Sequence, residues 1–365
     1  MIQTGGDRLS DRKLDAILNE FRGLIEEANA TGVPLVIRGG NTKSFYGRKV
    51  NGTPLDVGPY TGIVSYEPTE LVITARAGTP LREIEQTLAA QGQMLAFEPP
   101  HFGEGATLGG VVACGLSGPR RPYAGAVRDF VLGVRCLNGL GALLNFGGQV
   151  MKNVAGYDLS RLMTGAQGTL GVILEVSLKV LPMPEFEKTL RTEVDPSNAI
   201  RLMNEWAGQP LPLSAACHDG DYLYIRLSGK KSAVISSIQK LDLENCSNGT
   251  EFWEALREQH LAFFDDPAPL WRLSLPSTCN TEDLSGSRLI DWGGAQHWLK
   301  TAERADVIWE TAKRLGGSAT LVRGGDQNGM IFQPLTDGLF ALHRRVKQAF
   351  DPNAVLNPGR MYPEL

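Results

Sequence analysis

Cysteine is sparse: five residues in 365, at Cys114, Cys136, Cys217, Cys246 and Cys279, with no CxxC pair among them. An odd and scattered set argues against a disulfide framework. It also argues against a zinc or iron–sulfur centre held by this chain's thiolates alone. Histidine is equally rare, and His101, His218, His260, His297 and His343 show no metal-ligand spacing. Each reads as a surface histidine or one satisfied in the core. There is no HExxH or GxSxG, and Gly229-Lys230 lacks the Ser or Thr that completes a P-loop. Excess positive charge is absent too: 36 basic against 40 acidic residues leave a net charge of −4. A general nucleic-acid binder is usually basic, so that class is disfavoured. No run approaches the roughly 18 uninterrupted apolar residues of a membrane span. Met1–Ser10 is polar, with no apolar signal region behind it, so a cytoplasmic protein is expected.

What the chain has in excess is glycine, 42 residues, beside an ordinary globular composition of 42% hydrophobic and 21% charged. The length suits about two domains. Leu14, Ile17, Leu18, Phe21, Leu24, Ile25 and Ala28 recur at helical spacing, which predicts an amphipathic helix over 11–30. Short strands are expected at 34–37, 63–66, 71–75, 131–137, 142–146 and 172–180. A helix over 81–90 is expected to be capped by Thr79-Pro80. Pro182 and Pro184 mark a boundary. Beyond it, strands at 188–193, 213–218, 222–227, 270–275 and 320–323 alternate with helices at 199–207, 233–241 and 302–315. That alternation suits an antiparallel sheet covered by helices on one face.

The chemistry concentrates in two glycine-rich stretches. In Val36-Ile37-Arg38-Gly39-Gly40-Asn41-Thr42-Lys43 a strand runs into a Gly-Gly turn. Successive backbone N–H groups in such a turn can converge on an anion. From Gly103 to Gly118, Gly109 and Gly110 leave bare backbone, and Thr107 and Ser117 add hydroxyls. Two nests suit a dinucleotide better than a mononucleotide; an isolated Gly-Gly is more often a plain turn. A nicotinamide fingerprint fails, because Leu108 and Leu144 stand where the third glycine of GxGxxG belongs.

Four blocks, 36–43, 105–118, 152–184 and 350–361, resemble in order the flavin domain of the vanillyl-alcohol oxidase/p-cresol methylhydroxylase family. The stretches 98–134 and 291–299 resemble, more narrowly, flavin subunits of bacterial glycolate oxidases. The resemblance implies an α+β fold: a two-part FAD-binding domain over 1–184, an α+β cap with an antiparallel sheet over 185–345, and a returning segment over 346–365. It implies FAD held by Arg38, Gly39, Gly40, Asn41, Thr42 and Lys43 on one side and by Thr107, Gly109, Gly110, Ala113, Ser117 and Gly118 on the other. Asp129, Gly171, Val172, Ile173 and Asn357 complete the expected cofactor set.

Asn41-Thr42 stands where covalent flavin binders of the family carry histidine, which implies non-covalent FAD. The cap histidine pair of the hydroxyacid-oxidising members is absent; 323–332 is the nearest stretch. Arg272 is a candidate clamp for a substrate carboxylate or a solvated strand-end arginine. Tyr157 and Lys152 are further candidates. Arg120-Arg121 reads either as a solvated loop or as a contact with a partner or the diphosphate. The resemblance further implies a complex with a related flavin subunit and an iron–sulfur subunit, acting on a small 2-hydroxyacid and reaching a membrane only through those partners. The open alternatives are a structural or electron-relay flavin subunit and a free-standing FAD-dependent 2-hydroxyacid oxidase.

Overall fold

The computed structural model describes residues 8–148, 158–280 and 284–365. The helix Arg8–Thr31 turns Leu18, Phe21, Ile25 and Ala28 into the first core. It lies beside a small parallel sheet in which Leu35–Arg38 pairs with Thr53–Asp56, a strand that the residue pattern did not predict. A five-stranded antiparallel sheet follows, in the order Ile63–Glu67, Val72–Arg76, Val172–Lys179, Val131–Leu137 and Leu143–Gly147. Its central strand, Val172–Lys179, is buried at six of eight positions, as a strand packed on both faces should be. Helices Leu81–Ala89 and Leu108–Cys114 pack into the same core through Leu81, Ile84, Leu88, Leu108, Val111 and Val112. Thr79 does not cap the first of these; its hydroxyl bonds Gly62 instead, and Pro80 stands at the cap without a side-chain bond.

The second layer is an eight-stranded sheet in the order Glu244–Asn245, Phe186–Glu193, Tyr222–Gly229, Leu213–His218, Ser287–Asp291, Gln296–Lys300, Leu270–Ser274 and Ser318–Arg323. Among the described residues every strand pairing within it is antiparallel. Alternation divides its two faces. Ile225, Leu227, Trp271, Leu273 and Leu299 point to one side, under helices Pro196–Ala207, Lys231–Leu241 and Ala305–Arg314. His218 and His297 are buried within this sheet, bonded to the carbonyls of Val194 and Gly294. Burial holds His297 down at about 4. The opposite face carries Arg226, Arg272, Gln296 and Trp298 toward the first domain, alongside helix Gly249–Glu258.

A buried ion network joins the two layers. Glu98 accepts from Arg120 Nε at 3.2 Å and from an Arg226 terminal nitrogen at 2.8 Å, and Arg120 also reaches Glu187 at 2.7 Å. Arg120 is therefore neither solvated nor available to a diphosphate, because its charge is consumed between the domains. Arg121 lies 4.2 Å from the Trp292 ring. At the other end of the chain, helix Asp337–Phe350 buries only Lys347, whose ammonium binds Asp351 and the carbonyls of Thr169 and Leu356. Among the described residues no helix is long and apolar enough to cross a membrane.

Burial alone would raise the Glu98 carboxyl, but the guanidiniums of Arg226 and Arg120 more than offset it and hold it below 4.5. A depressed carboxylate contributes stability above its unfolded value and loses it as pH falls through the folded one. Glu98→Ala leaves two buried guanidiniums short of a partner and is expected to cost about 3–5 kcal/mol. Denaturant unfolding should show that loss at pH 7 and a much smaller difference from the parent in strong acid.

Candidate cofactor site and the chamber beside it

The two glycine stretches meet. A Cβ on Gly40 would lie 1.4 Å from the carbonyl oxygen of Gly105, and one on Gly39 would lie 2.6 Å from Thr107 Oγ1. Only glycine permits backbone to rest on backbone this closely. Between the stretches opens a cavity of about 550 Å³, within the range of cofactor sites. Arg38 through Lys43 all line it, and the amides of Gly39 to Lys43 donate to no acceptor among the described residues. Five consecutive unspent N–H groups around a cavity are the donor set that an anionic diphosphate needs.

The second stretch departs from expectation. Its centre is a helix, Leu108–Cys114, with Thr107 as N-cap accepting from Gly110 N at 3.3 Å. The amide of Gly109 donates to Ala77 O, so it is not free for a phosphate. Glycine stands at 109 because a Cβ would come within 2.7 Å of the Ala77 Cβ. Thr107, Gly109, Gly110 and Ala113 nonetheless line the cavity, as do Gly171, Ile173 and Asn357. Asn357 is a clamp: its Oδ1 accepts from Ile37 N at 2.9 Å, and its Nδ2 donates to Gln167 O at 2.7 Å.

Four expected cofactor residues lie elsewhere. Val172 is fully buried in the core. The Asp129 carboxylate accepts from Ala126 N and closes its own short turn. Ser117 and Gly118 line a second cavity. A Cβ on Gly118 would strike Glu98 O at 2.4 Å, so that glycine serves domain packing. Lys152 and Tyr157 lie outside the described residues.

Two cations line the cavity, Lys43, which the sequence reading expected against the diphosphate, and Arg360, which it did not. Lys43 is 6% exposed, and its ammonium rests on His101 O at 3.1 Å. Burial pulls it below its ordinary value, while Cys114 and Glu258 oppose the shift. Arg360, following Asn357 in the terminal segment, donates to the carbonyls of Ser44, Tyr46 and Arg48 and to Gln167 Oε1. Burial lowers it as well. Neither makes an ion pair with a carboxylate among the described residues. Unspent amides, the buried ammonium of Lys43 and the half-buried guanidinium of Arg360 fit an anionic dinucleotide such as FAD.

The second cavity sits between the inner face of the eight-stranded sheet and the segment 116–119, and Phe45 lines both cavities. Arg272 borders it and donates to Tyr46 Oη at 3.0 Å. Asp291 accepts from Trp292 N at 2.7 Å and from Gln296 Nε2 at 3.3 Å. Burial, with the charge of Glu98 adding to it, pushes its carboxyl up to about 7.

Comparison with known proteins now bears on these cavities. A family described as FAD binding domain matches residues 18–147, and one described as FAD linked oxidases, C-terminal domain, matches residues 295–361. The glycolate oxidase subunit GlcE of Escherichia coli (strain K12) is 52% identical over 94% of this chain and 98% of its own. The glycolate oxidase subunit GlcD of Bacillus subtilis (strain 168) is 31% identical over 90% of this chain and 84% of its own. A crystal structure of p-cresol methylhydroxylase with substrate bound superposes with a TM-score of 0.71 over 94% of this chain and 87% of that one; at 14% identity it speaks for the fold alone.

Gly40→Ala forces two backbones apart and should cost several kcal/mol, of the order seen for overpacking or beyond, and should strip the protein of flavin. Gly110→Ala meets only Thr107 Oγ1 at 3.3 Å, so it should fold with near-parent stability yet retain less flavin. Flavin-to-protein absorbance after gel filtration, beside a melting curve, separates the two.

Proposed function

Because the chain belongs to the FAD-linked oxidase family, we propose that it is the FAD-carrying subunit of a glycolate oxidase, oxidising glycolate to glyoxylate and passing the electrons to an iron–sulfur partner. That it is an FAD-dependent oxidoreductase follows from the family itself. The observation that carries the finer reading is the near-full-length likeness to a glycolate oxidase subunit, joined to a cofactor cavity that shares Phe45 with a second, small chamber.

Oxidising glycolate to glyoxylate removes two electrons and two protons, and bound FAD supplies the two-electron acceptor. The chain's own residues do the rest. The free amides of Gly39 to Lys43 hold the diphosphate, and Lys43 and Arg360 balance its charge. Asn41-Thr42 offers no imidazole for a flavin linkage, so the cofactor is held without a covalent bond. Arg272 presents a guanidinium to a substrate carboxylate. The cysteines stand far apart in sequence, three of them buried, and among the described residues no group of three His, Cys, Asp or Glu could hold a metal. The likeness to chains named as glycolate oxidase subunits supports a complex in which the electrons pass to an iron–sulfur subunit, beside a related flavin subunit, with any membrane contact through them.

A second reading is favoured by one feature, the absence of histidine from Arg323–Phe332: the flavin relays electrons while the related subunit oxidises glycolate. The visible spectrum of the purified chain under anaerobic glycolate decides between them. The proposal expects oxidised-flavin bands that bleach with glycolate, and FAD that enters the supernatant on acid precipitation. Bands that persist under glycolate would favour the relay, and flavin that stays in the pellet would contradict non-covalent binding.

A further inference from the structure

Among the described residues, Phe45 alone lines both the cofactor cavity and the second cavity. Its ring is gripped from the second layer. The Arg323 guanidinium, at the end of strand Ser318–Arg323, lies 3.7 Å from the Phe45 ring centroid and 5.2 Å from that of Phe102. The two rings meet edge to face at 5.3 Å. Phe102 is itself fixed, since its amide donates to the Glu258 carboxylate at 2.8 Å. Arg323 forms no ion pair with a carboxylate among the described residues, and its Nε donates to Gln259 Oε1 at 2.9 Å. Withdrawing a guanidinium from water without a counterion is costly, and burial pulls this one below its ordinary pKa. Stacking on two aromatic faces is the interaction that offsets the cost.

Placement gives this stack a task. Val57, Ala77 and Ile173, which line one part of the cofactor cavity, belong to the buried core of the first domain. Phe45 packs instead against the apolar cluster on the inner face of the second layer. Gln327, just beyond the last strand of that layer, also lines the cavity and donates to Phe45 O at 3.4 Å. A flavin exchanges electrons only where other molecules can approach, so its ring belongs at the Phe45 end. On the far side, Phe45, Phe102 and Gln259 line the second cavity. Its free volume is about 30 Å³, room for two or three waters or one dioxygen and too little for an organic acid. We infer that Phe45 is the partition between this small chamber and the flavin, that Arg323 is the positioning residue that holds it shut, and that together they keep dioxygen from the reduced cofactor. The inference rests on bound FAD and not on which subunit oxidises glycolate.

Dioxygen that reaches reduced FAD removes two electrons and two protons from it, leaving oxidised FAD and hydrogen peroxide. Each such event diverts an electron pair from the protein that should receive it. Phe45→Ala removes the partition and joins the two cavities. Arg323→Met leaves the ring in place but takes away the cation that clamps it.

The test is stopped-flow reoxidation of the FAD-loaded chain after anaerobic photoreduction, followed in the flavin bands with either dioxygen or ferricyanide as acceptor. Ferricyanide is too large for the chamber. The parent should reoxidise in dioxygen about tenfold or more slowly than free reduced FAD. Phe45→Ala should speed reoxidation by dioxygen about tenfold or more and change that by ferricyanide less than about twofold. Arg323→Met should give a smaller rise with dioxygen, and Phe45→Tyr, which keeps the ring, should match the parent. A double-mutant cycle of Phe45→Leu and Arg323→Met, read in melting temperature, should be non-additive, as residues in contact are. Flavin content identifies a variant that has lost its cofactor, and Phe45→Leu then stands in for Phe45→Ala. A parent that reoxidises as fast as free FAD, or a flavin-loaded Phe45 variant no faster than the parent, overturns the inference. Equal acceleration with dioxygen and ferricyanide overturns it too, because that reports a general opening of the protein.

Discussion

Gly40 resting on the carbonyl of Gly105 is the contact on which the rest of the site depends. It brings two loops 65 residues apart in sequence to backbone distance, beside a cavity lined by Gly39 to Lys43, whose amides have no acceptor among the described residues. Solvent can satisfy such donors in the free chain, and an anion that takes its place gains several hydrogen bonds at once. Asn357 and Arg360 hold it from behind, through Ile37, Gln167 and the carbonyls of 44–48. The terminal segment thus returns across the chain to brace the first strand of the cofactor loop.

The eight-stranded sheet lays a mixed face, apolar with a few polar side chains, against the first layer. One side is sealed by three helices over Leu, Ile and Trp side chains. The other presents Arg226, Arg272 and Gln296 to the cofactor domain. Arg226 is consumed by Glu98 in the network that fixes the two layers. Arg272 makes no ion pair with a carboxylate among the described residues and instead donates to Tyr46 Oη at the border of the second cavity. Glu98 also reaches Asp291 electrostatically and helps to keep its carboxyl protonated near neutrality, so the joint between the layers tunes the chamber.

Much of this was legible in the residue pattern. The first helix announced itself through apolar spacing, and the anion nest through Gly39-Gly40. The Leu108–Cys114 helix was hidden because two glycines, poor helix formers, open it; tertiary contact with Ala77 explains Gly109. The strands Ser287–Asp291 and Gln296–Lys300 were missed because Trp292-Gly293-Gly294 interrupts their alternation, and in Gln296–Lys300 every position is buried. Helix Asp337–Phe350 fully buries only Lys347 and packs on the first core through half-buried Val346 and Phe350, so the residue pattern marked no strong core face. Arg272 could be named from its chemistry. Asp291 and Gln296 could not, because their pairing arises only once the two strands lie side by side.

The most direct test of the cradle is amide hydrogen exchange on the chain with and without FAD, resolved to single residues across 36–43 and 105–114. Bound cofactor should slow exchange throughout Gly39 to Lys43, whose amides have no other acceptor, and change Gly109 little, because that amide already donates to Ala77 O. Unchanged exchange over Gly39 to Lys43 in the FAD-loaded protein would contradict the account.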